Sequence, residues 1–210
     1  MFTIRLLTAC TLSTLALSAG PFVSSAEAGS PSFNCAKADS RAEELICGDK
    51  ELAIMDVEAT RLFRLVRDGG KREDEKKVLN EDRARWQKVR DECWISEDLR
   101  GCIISSYAVR IHFLRENHAE ARASDQKGIT KGPFNLQCKD LKQPVKATFI
   151  SSNPPVSAVQ FSDGVHVGIG SGARYFARSP QGDMAFWTQG DDAFFKMPNG
   201  VSYNCVLERQ

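Results

Sequence analysis

Hydrophobic residues between positions 35 and 117 recur at steps of three and four, which is the period of an α-helix. The clearest series is Leu52, Met55, Ala59, Leu62 and Val66. A third, strongly charged helix is expected to carry Leu79, Trp86 and Val89 on one face, and a fourth helix Ile103, Tyr107, Ile111 and Leu114. The pattern predicts a small bundle of helices whose intervening charged residues form solvated faces.

Local signals mark where these helices begin and end. Ser40 followed by Glu43 forms a capping box ahead of a short helix. Asp49 can cap the next helix, and Gly69 is typical of its C-terminal end. Residues 118–133 have no periodic apolar pattern, so we interpret them as a linker.

From residue 134 onward the hydrophobic period changes to two, which is the period of a β-strand. The alternation is clear in Val165, Val167 and Ile169, and Asn199-Gly200 is a tight hairpin signal. The candidate strands are 134–138, 145–150, 157–162, 165–170, 173–179, 184–190, 192–198 and 201–208. Strands this short and this closely spaced predict a small antiparallel barrel.

The predicted fold class is α+β with two domains. A disulfide-bonded helical bundle occupies residues 29–117, and an eight-stranded antiparallel β-barrel occupies residues 134–210. A barrel of about eight strands is just wide enough for its own side chains to fill. The side chains expected to fill it are Phe149, Phe161, Phe186, Phe194 and Phe195. Function is therefore expected on a rim loop and not in an internal cavity.

The first 28 residues have the layout of a signal peptide. Arg5 precedes an apolar segment at 6–19, and Ala26-Glu27-Ala28 is typical of a cleavage site. The predicted location is therefore the periplasm or the extracellular space. Cys10 lies in a lipoprotein-like box but precedes most of the apolar segment, so a lipid anchor is not expected. No later stretch approaches ~20 apolar residues, so no membrane span is predicted.

An even number of cysteines follows the signal peptide, which predicts a disulfide framework in an oxidising compartment. Cys138 and Cys205 lie in the first and last predicted strands, so a bridge between them would join the two ends of the barrel. In the helical half, Cys35–Cys47 and Cys93–Cys102 are the simplest pairs, and a crossed arrangement stays open. The sequence has no C-x-x-C motif and only scattered histidines, so we predict no metal and no cofactor.

Two glycine-containing segments carry the candidate chemistry. The first consists of Ser171, Gly172, Ala173, Arg174 and Tyr175, and the second begins at Trp187 and includes Gln189 and Gly190. Together with Cys138 and Cys205, they resemble the S-G-x-x-Y and W-x-K-G-x-x-A motifs of the membrane-bound and periplasmic inhibitors of c-type lysozyme, the MliC/PliC family. The resemblance covers about residues 134–210.

This resemblance implies an exported inhibitor whose serine-bearing loop enters the active-site cleft of c-type lysozyme. The enzyme cleaves glycan with two carboxyl groups, and Ser171 would donate a hydrogen bond to them. The family's motif lysine is replaced by Gln189, whose amide can donate a hydrogen bond but carries no charge. Arg178, between the two motifs, is the candidate for the missing cation. We therefore expect weaker or differently tuned inhibition.

The helical half is similar to the LprI N-terminal domain, a four-cysteine module of bacterial envelope proteins, some of which are linked to lysozyme inhibition. The matching residues are Phe33-Asn34-Cys35, Glu44-Leu45-Ile46-Cys47, 49–53, Trp86, Arg90-Asp91, Cys93, Cys102 and 107–114. Most of these residue types are also expected of a bundle core with its caps and bridges, so this second resemblance points less directly to function.

The alternative function is a non-inhibitory envelope module that binds peptidoglycan or an envelope protein. An enzyme is not expected, because the adjacent Asp191 and Asp192 would point to opposite faces of a strand and no acid–base constellation is visible. The 28 Lys and Arg residues nearly balance the 27 Asp and Glu residues, which disfavours a nucleic-acid partner. The sequence makes no prediction of the oligomeric state.

Overall fold

The computed structural model describes residues 29–122, 127–142, 145–177 and 182–208. The predicted signal peptide at 1–28, with Cys10, lies outside these residues, and so does Arg178. Within the described ranges, no helix is both long enough and apolar enough to cross a membrane.

The first half of the described chain consists of helices. They are α1 (Arg41–Gly48), α2 (Lys50–Asp68), α3 (Glu73–Asp91) and α4 (Leu99–Asn117), with 3-10 turns at Cys35–Lys37, Glu92–Ile95 and Ala119–Arg122. The predicted caps at Ser40 and Asp49 are confirmed, but the capping box is incomplete, because the Glu43 side chain accepts from the backbone N–H of Asp39 and not from that of Ser40. The Ser40 side chain accepts a hydrogen bond from the backbone N–H of Glu43, and Asp49 accepts from the first turn of α2. Each cap satisfies backbone donors that the helix itself leaves unpaired.

The apolar stripes of α2 and α4 form the helical core as predicted, with Leu52, Leu62, Ile103 and Ile111 fully buried. The prediction for α3 is wrong at Val89, which is 62% exposed. Arg90 takes the inward position instead. Its guanidinium donates hydrogen bonds to the Tyr107 hydroxyl and to the Asp91 carboxylate, so the charge is paired where it is buried.

All three predicted disulfides are present. They are Cys35–Cys47, Cys93–Cys102 and Cys138–Cys205. The crossed arrangement of the four helical cysteines is therefore excluded. Each of the first two bridges joins a 3-10 turn to the helix that follows it, α1 in the first case and α4 in the second. The third bridge joins the first strand of the barrel to the last.

The second half is a closed antiparallel barrel in which consecutive strands are neighbours. The strands are β1 (Thr130–Cys138), β2 (Val145–Ile150), β3 (Val156–Phe161), β4 (Gly164–Ser171), β5 (Arg174–Ala177), β6 (Met184–Gln189), β7 (Asp192–Lys196) and β8 (Ser202–Glu208). Strand β1 begins at Thr130, inside the predicted linker. A register shift between Lys131 and Phe134 interrupts the alternation there, which hides the start of the strand from the sequence pattern.

Aromatic rings fill the barrel. Phe186 stacks on Phe195 with their ring centroids 4.5 Å apart, and Phe149 and Phe161 pack against the same cluster. The prediction that Phe194 also lies inside is wrong. Its neighbours in β7, Ala193 and Phe195, point inward, so strand alternation turns Phe194 outward.

The helical half packs directly on the outer face of the barrel. Val165, Val167 and Ile169 of β4 point outward and join Val156 and Ala158 of β3 in one apolar cluster with the helices. The two halves therefore follow one another in sequence but share a core. Because β1, β2, β3 and β4 meet α4, the outer face of β5 to β8 is the part of the barrel left for other contacts.

Buried polar groups define how the two halves meet. His112 of α4 is fully buried, and its ring nitrogens lie 2.9 Å from Thr148 Oγ1 and 3.0 Å from Gln160 Oε1. Burial lowers the pKa of His112, which favours the neutral ring. Arg115 donates to the backbone carbonyl of Gly132, which fixes the far end of α4 against β1. Such paired groups specify one docking geometry.

Candidate functional site

The two motif segments lie at the same end of the barrel. In an up-and-down barrel, successive turns alternate between the two ends, so the β4–β5 and β6–β7 turns share one end. Ser171 pairs with Arg174 across the first turn, and Gln189 pairs with Asp192 across the second. Each turn therefore has only two residues at its tip.

Glycine permits both turns. Gly172 has φ of 62° and Gly190 has φ of 64°, a backbone region that residues with a side chain rarely adopt. Each glycine is the first residue of a two-residue hairpin loop, the position at which tight hairpins favour glycine. The tight turn at Gly172 therefore depends on a backbone conformation that glycine adopts readily.

The pairing of β5 with β6 joins the two motifs into one surface. Arg174 lies opposite Trp187, and the backbone N–H of Thr188 donates to the carbonyl of Ala173 at 3.3 Å. A displacement of one turn would therefore also displace the other.

Ser171 and Arg174 are exposed at outward-facing strand positions, and the helices do not cover them. Within the described part of the chain, the Ser171 hydroxyl and the Arg174 guanidinium form no side-chain hydrogen bond and no ion pair. A donor and a cation thus stand side by side on one narrow turn, where both are available to an incoming acceptor.

Tyr175 lies on the inward side of the same hairpin. It is only 9% exposed, and its ring packs 5.7 Å from Phe186 and 5.9 Å from Phe149. Burial raises the pKa of its hydroxyl, so the side chain stays neutral. Of the candidate binding residues, Tyr175 therefore supports the turn from within the barrel.

Two glycines of β4 make room for the Tyr175 side chain. A Cβ atom on Gly170 would lie 2.8 Å from Tyr175 Cδ1, and one on Gly168 would lie 2.8 Å from Tyr175 Cβ. Both distances are too short for an ordinary contact, so any side chain there would displace the tyrosine. The absent side chain of Gly170 thus serves the ring that supports the turn.

Trp187 and Phe194 form an aromatic pair on the outer face beside the turns. Their ring centroids are 5.4 Å apart and their planes differ by 16°. Phe176 and Val206, at other outward positions of β5 and β8, are 50% and 52% exposed. The face that carries Arg174 is therefore also rich in exposed apolar surface, which is typical of a surface that binds a partner.

Charge is distributed unequally between the two turns. Arg174 supplies a cation beside Ser171, whereas Gln189 faces the exposed carboxylate of Asp192. The sequence interpretation looked for the missing cation at Arg178, which lies outside the described residues. Arg174 is identified as the cation by the register of β4 with β5. The two residues that flank a two-residue turn point to the same face, so Arg174 lies beside Ser171.

Neither a metal centre nor a known relative adds to this geometry among the residues that the structure describes. No cluster of three or more metal-ligating side chains occurs among the residues that the structure describes. No protein-family model, no curated protein and no solved structure matches this chain. What the protein does is therefore inferred from the geometry and chemistry of the two turns.

Proposed function

We propose that this protein is an exported bacterial inhibitor of c-type lysozyme that inserts the β4–β5 turn into the active-site cleft. One observation carries the proposal: Ser171 and Arg174 flank an exposed two-residue turn, and their polar groups have no partner among the described side chains. The three disulfides fit an oxidising compartment such as the periplasm, where the protein would meet the enzyme.

The chemistry of the turn is complementary to that of the cleft. Lysozyme holds two carboxyl groups at the point where it cleaves glycan. The Ser171 hydroxyl can donate a hydrogen bond to one of them, and the Arg174 guanidinium adds a positive charge with several donors. A hydrogen bond to a charged group contributes about 1.5–3 kcal/mol. The tip residues, Gly172 and Ala173, are small enough to enter a narrow groove.

The turn is also held in place before any partner arrives. Tyr175 anchors β5 in the aromatic core, and the adjoining strand has only hydrogen atoms at Gly168 and Gly170 where the ring sits. A binding group that is already ordered loses less conformational entropy on association. The rigid barrel would thus contribute to affinity without touching the enzyme.

The second turn is expected to contribute less to binding than the first. Gln189 can donate from its amide, but Asp192 opposite it would be repelled by ionised carboxyl groups in the cleft. For this reason we assign the role of the cation to Arg174. With this division between the turns, we expect inhibition to be tuned differently from that of proteins with a lysine at the second motif.

The test is the lysis of a cell-wall suspension by c-type lysozyme in the presence of the oxidised protein. Changing Ser171→Ala should weaken inhibition by about 10- to 100-fold, since one charge-assisted hydrogen bond is lost. Ser202→Ala is the matched control, because Ser202 is exposed at the start of β8, at the opposite end of the barrel. Equal inhibition by wild type and Ser171→Ala would contradict the proposal.

The stacked pair of Trp187 and Phe194 supports a second candidate function. Flat aromatic surfaces can stack on sugar rings, so a module that binds peptidoglycan without inhibiting lysozyme is the second candidate. Sedimentation with insoluble peptidoglycan, combined with an absence of inhibition, would favour it. If Ser171→Ala still binds peptidoglycan, the aromatic face and not the turn is responsible for that binding.

A further inference from the structure

A groove lies where the start of α4 meets the outer face of β4 and β5. Its volume is about 670 Å³, within the ~300–1,000 Å³ typical of ligand sites. The residues that line it are Asp98, Gly101, Ser105, Val167, Ile169, Phe176 and Asp183. One wall therefore belongs to the helical half and the other to the barrel, so the groove exists only because the two halves are docked.

The helical wall follows from sequence spacing. Asp98, Gly101 and Ser105 are separated by three and four residues, so they share one face of α4. Asp98 caps the helix, and its side chain accepts a hydrogen bond from the backbone N–H of Gly101 at 2.8 Å. Gly101 has no side chain, and a Cβ atom there would lie 2.2 Å from Asp98 Oδ2, so the glycine makes room for the capping carboxylate.

The groove has an apolar lining and two acidic residues. Val167, Ile169 and the half-exposed Phe176 supply the apolar lining, and the exposed Asp98 and Asp183 supply two carboxylates, which we call the acidic rim. The nearby Arg100 is already paired with Asp49 at 2.7 Å. This chemistry suits a lysine or arginine side chain, whose methylene stem is apolar and whose head is charged.

The groove and the Ser171 turn belong to one continuous surface. Ile169 and Phe176 are cross-strand partners at outward positions, and Ser171 and Arg174 are the next outward pair along the same two strands. A step of two residues along a strand is about 7 Å. A protein seated on the turn would therefore also cover the groove.

We infer that this groove binds a basic side chain of the lysozyme that the turn blocks, so that the helical half contributes directly to recognition. The inference rests on the proposed function and names a second contact within it. Many c-type lysozymes are basic, which matches the acidic rim. The stem peptides of peptidoglycan carry carboxylates and would be repelled there.

The test compares the affinity for a basic c-type lysozyme of the full-length oxidised protein and of its variants. Asp98→Asn/Asp183→Asn removes both rim charges, and asparagine at 98 still caps α4. We expect about 3- to 10-fold weaker binding at low ionic strength, and a smaller difference at ~0.5 M salt, because ions screen the attraction. Phe176→Ala should also weaken binding, with little dependence on salt.

The matched control is Asp68→Asn/Asp74→Asn, which removes two exposed carboxylates from the region between α2 and α3. The Lys71–Glu120 ion pair places that region near the C-terminal end of α4, about 28 Å along the helix from Asp98. The control should bind as wild type does. If the groove variants also bind as wild type does while Ser171→Ala binds weakly, the groove inference is overturned alone. If the wild-type protein does not bind lysozyme, or binds only peptidoglycan, both claims fall.

Discussion

Replacing Phe186 with alanine is expected to lower the free energy of unfolding by about 3–5 kcal/mol. Phe186 is 1% exposed and stands at the centre of the aromatic core. Its ring centroid lies 4.5 Å from that of Phe195, 5.7 Å from that of Tyr175 and 5.8 Å from that of Phe149. Removing it leaves a cavity that no single neighbour can fill without breaking the stack.

The control for Phe186 is Phe176→Ala, because Phe176 is a phenylalanine on the next strand that is 50% exposed. Its loss should change the free energy of unfolding by less than ~1.5 kcal/mol, since much of its surface already meets water. Urea denaturation followed by circular dichroism measures both variants. Equal destabilisation by the two changes would show that the barrel is not packed as described.

The second large effect is expected from removing the barrel disulfide by the double change Cys138→Ala/Cys205→Ala. The bridge closes a loop with a sequence separation of 67. It lowers the conformational entropy of the unfolded chain, which stabilises the folded protein by about 4 kcal/mol. Both cysteines are buried, and they join β1 to β8 at the closure of the barrel. Alanine avoids leaving a buried hydroxyl without a partner.

The matched comparison for the barrel disulfide is Cys35→Ala/Cys47→Ala, whose bridge spans a separation of only 12. The same relation gives about 3 kcal/mol for this shorter loop. Guanidinium denaturation of the two oxidised variants under identical conditions measures the difference. A larger loss for the helical pair than for the barrel pair would contradict the importance of barrel closure.

Local features of the fold were predictable because each depends on a few neighbouring residues. The caps at Ser40 and Asp49 follow from side chains that can accept backbone hydrogen bonds. Hairpins and strands follow from glycine positions and from the period of two. The nearest-neighbour disulfides also follow from spacing, although the sequence alone left a crossed arrangement open.

The direction in which a strand faces was harder to predict. Val165, Val167 and Ile169 alternate as expected, yet they point away from the barrel and into the helical core. An alternating pattern separates the two faces of a strand but does not say which face meets which neighbour. Phe194 shows the same difficulty, because both faces of β7 carry a phenylalanine.

In the candidate site, too, local features were predictable and features that depend on strand register or tertiary contacts were not. Ser171, Gly172 and Gly190 could be chosen from sequence, since turns are local. Arg174 as the cation required the register of β4 with β5. The groove beside it could not be foreseen, because it depends on contacts such as His112 with Thr148, which are 36 positions apart in the chain.

The most direct test of lysozyme inhibition by the Ser171 turn is competition for the cleft. The dissociation constant of the protein for c-type lysozyme is measured by titration calorimetry with and without a chitin oligosaccharide that occupies the active site. At a saccharide concentration of 100 times its own dissociation constant, mutually exclusive binding weakens the apparent affinity about 100-fold. We predict that loss. Unchanged affinity in the presence of the saccharide would contradict insertion of the turn into the cleft.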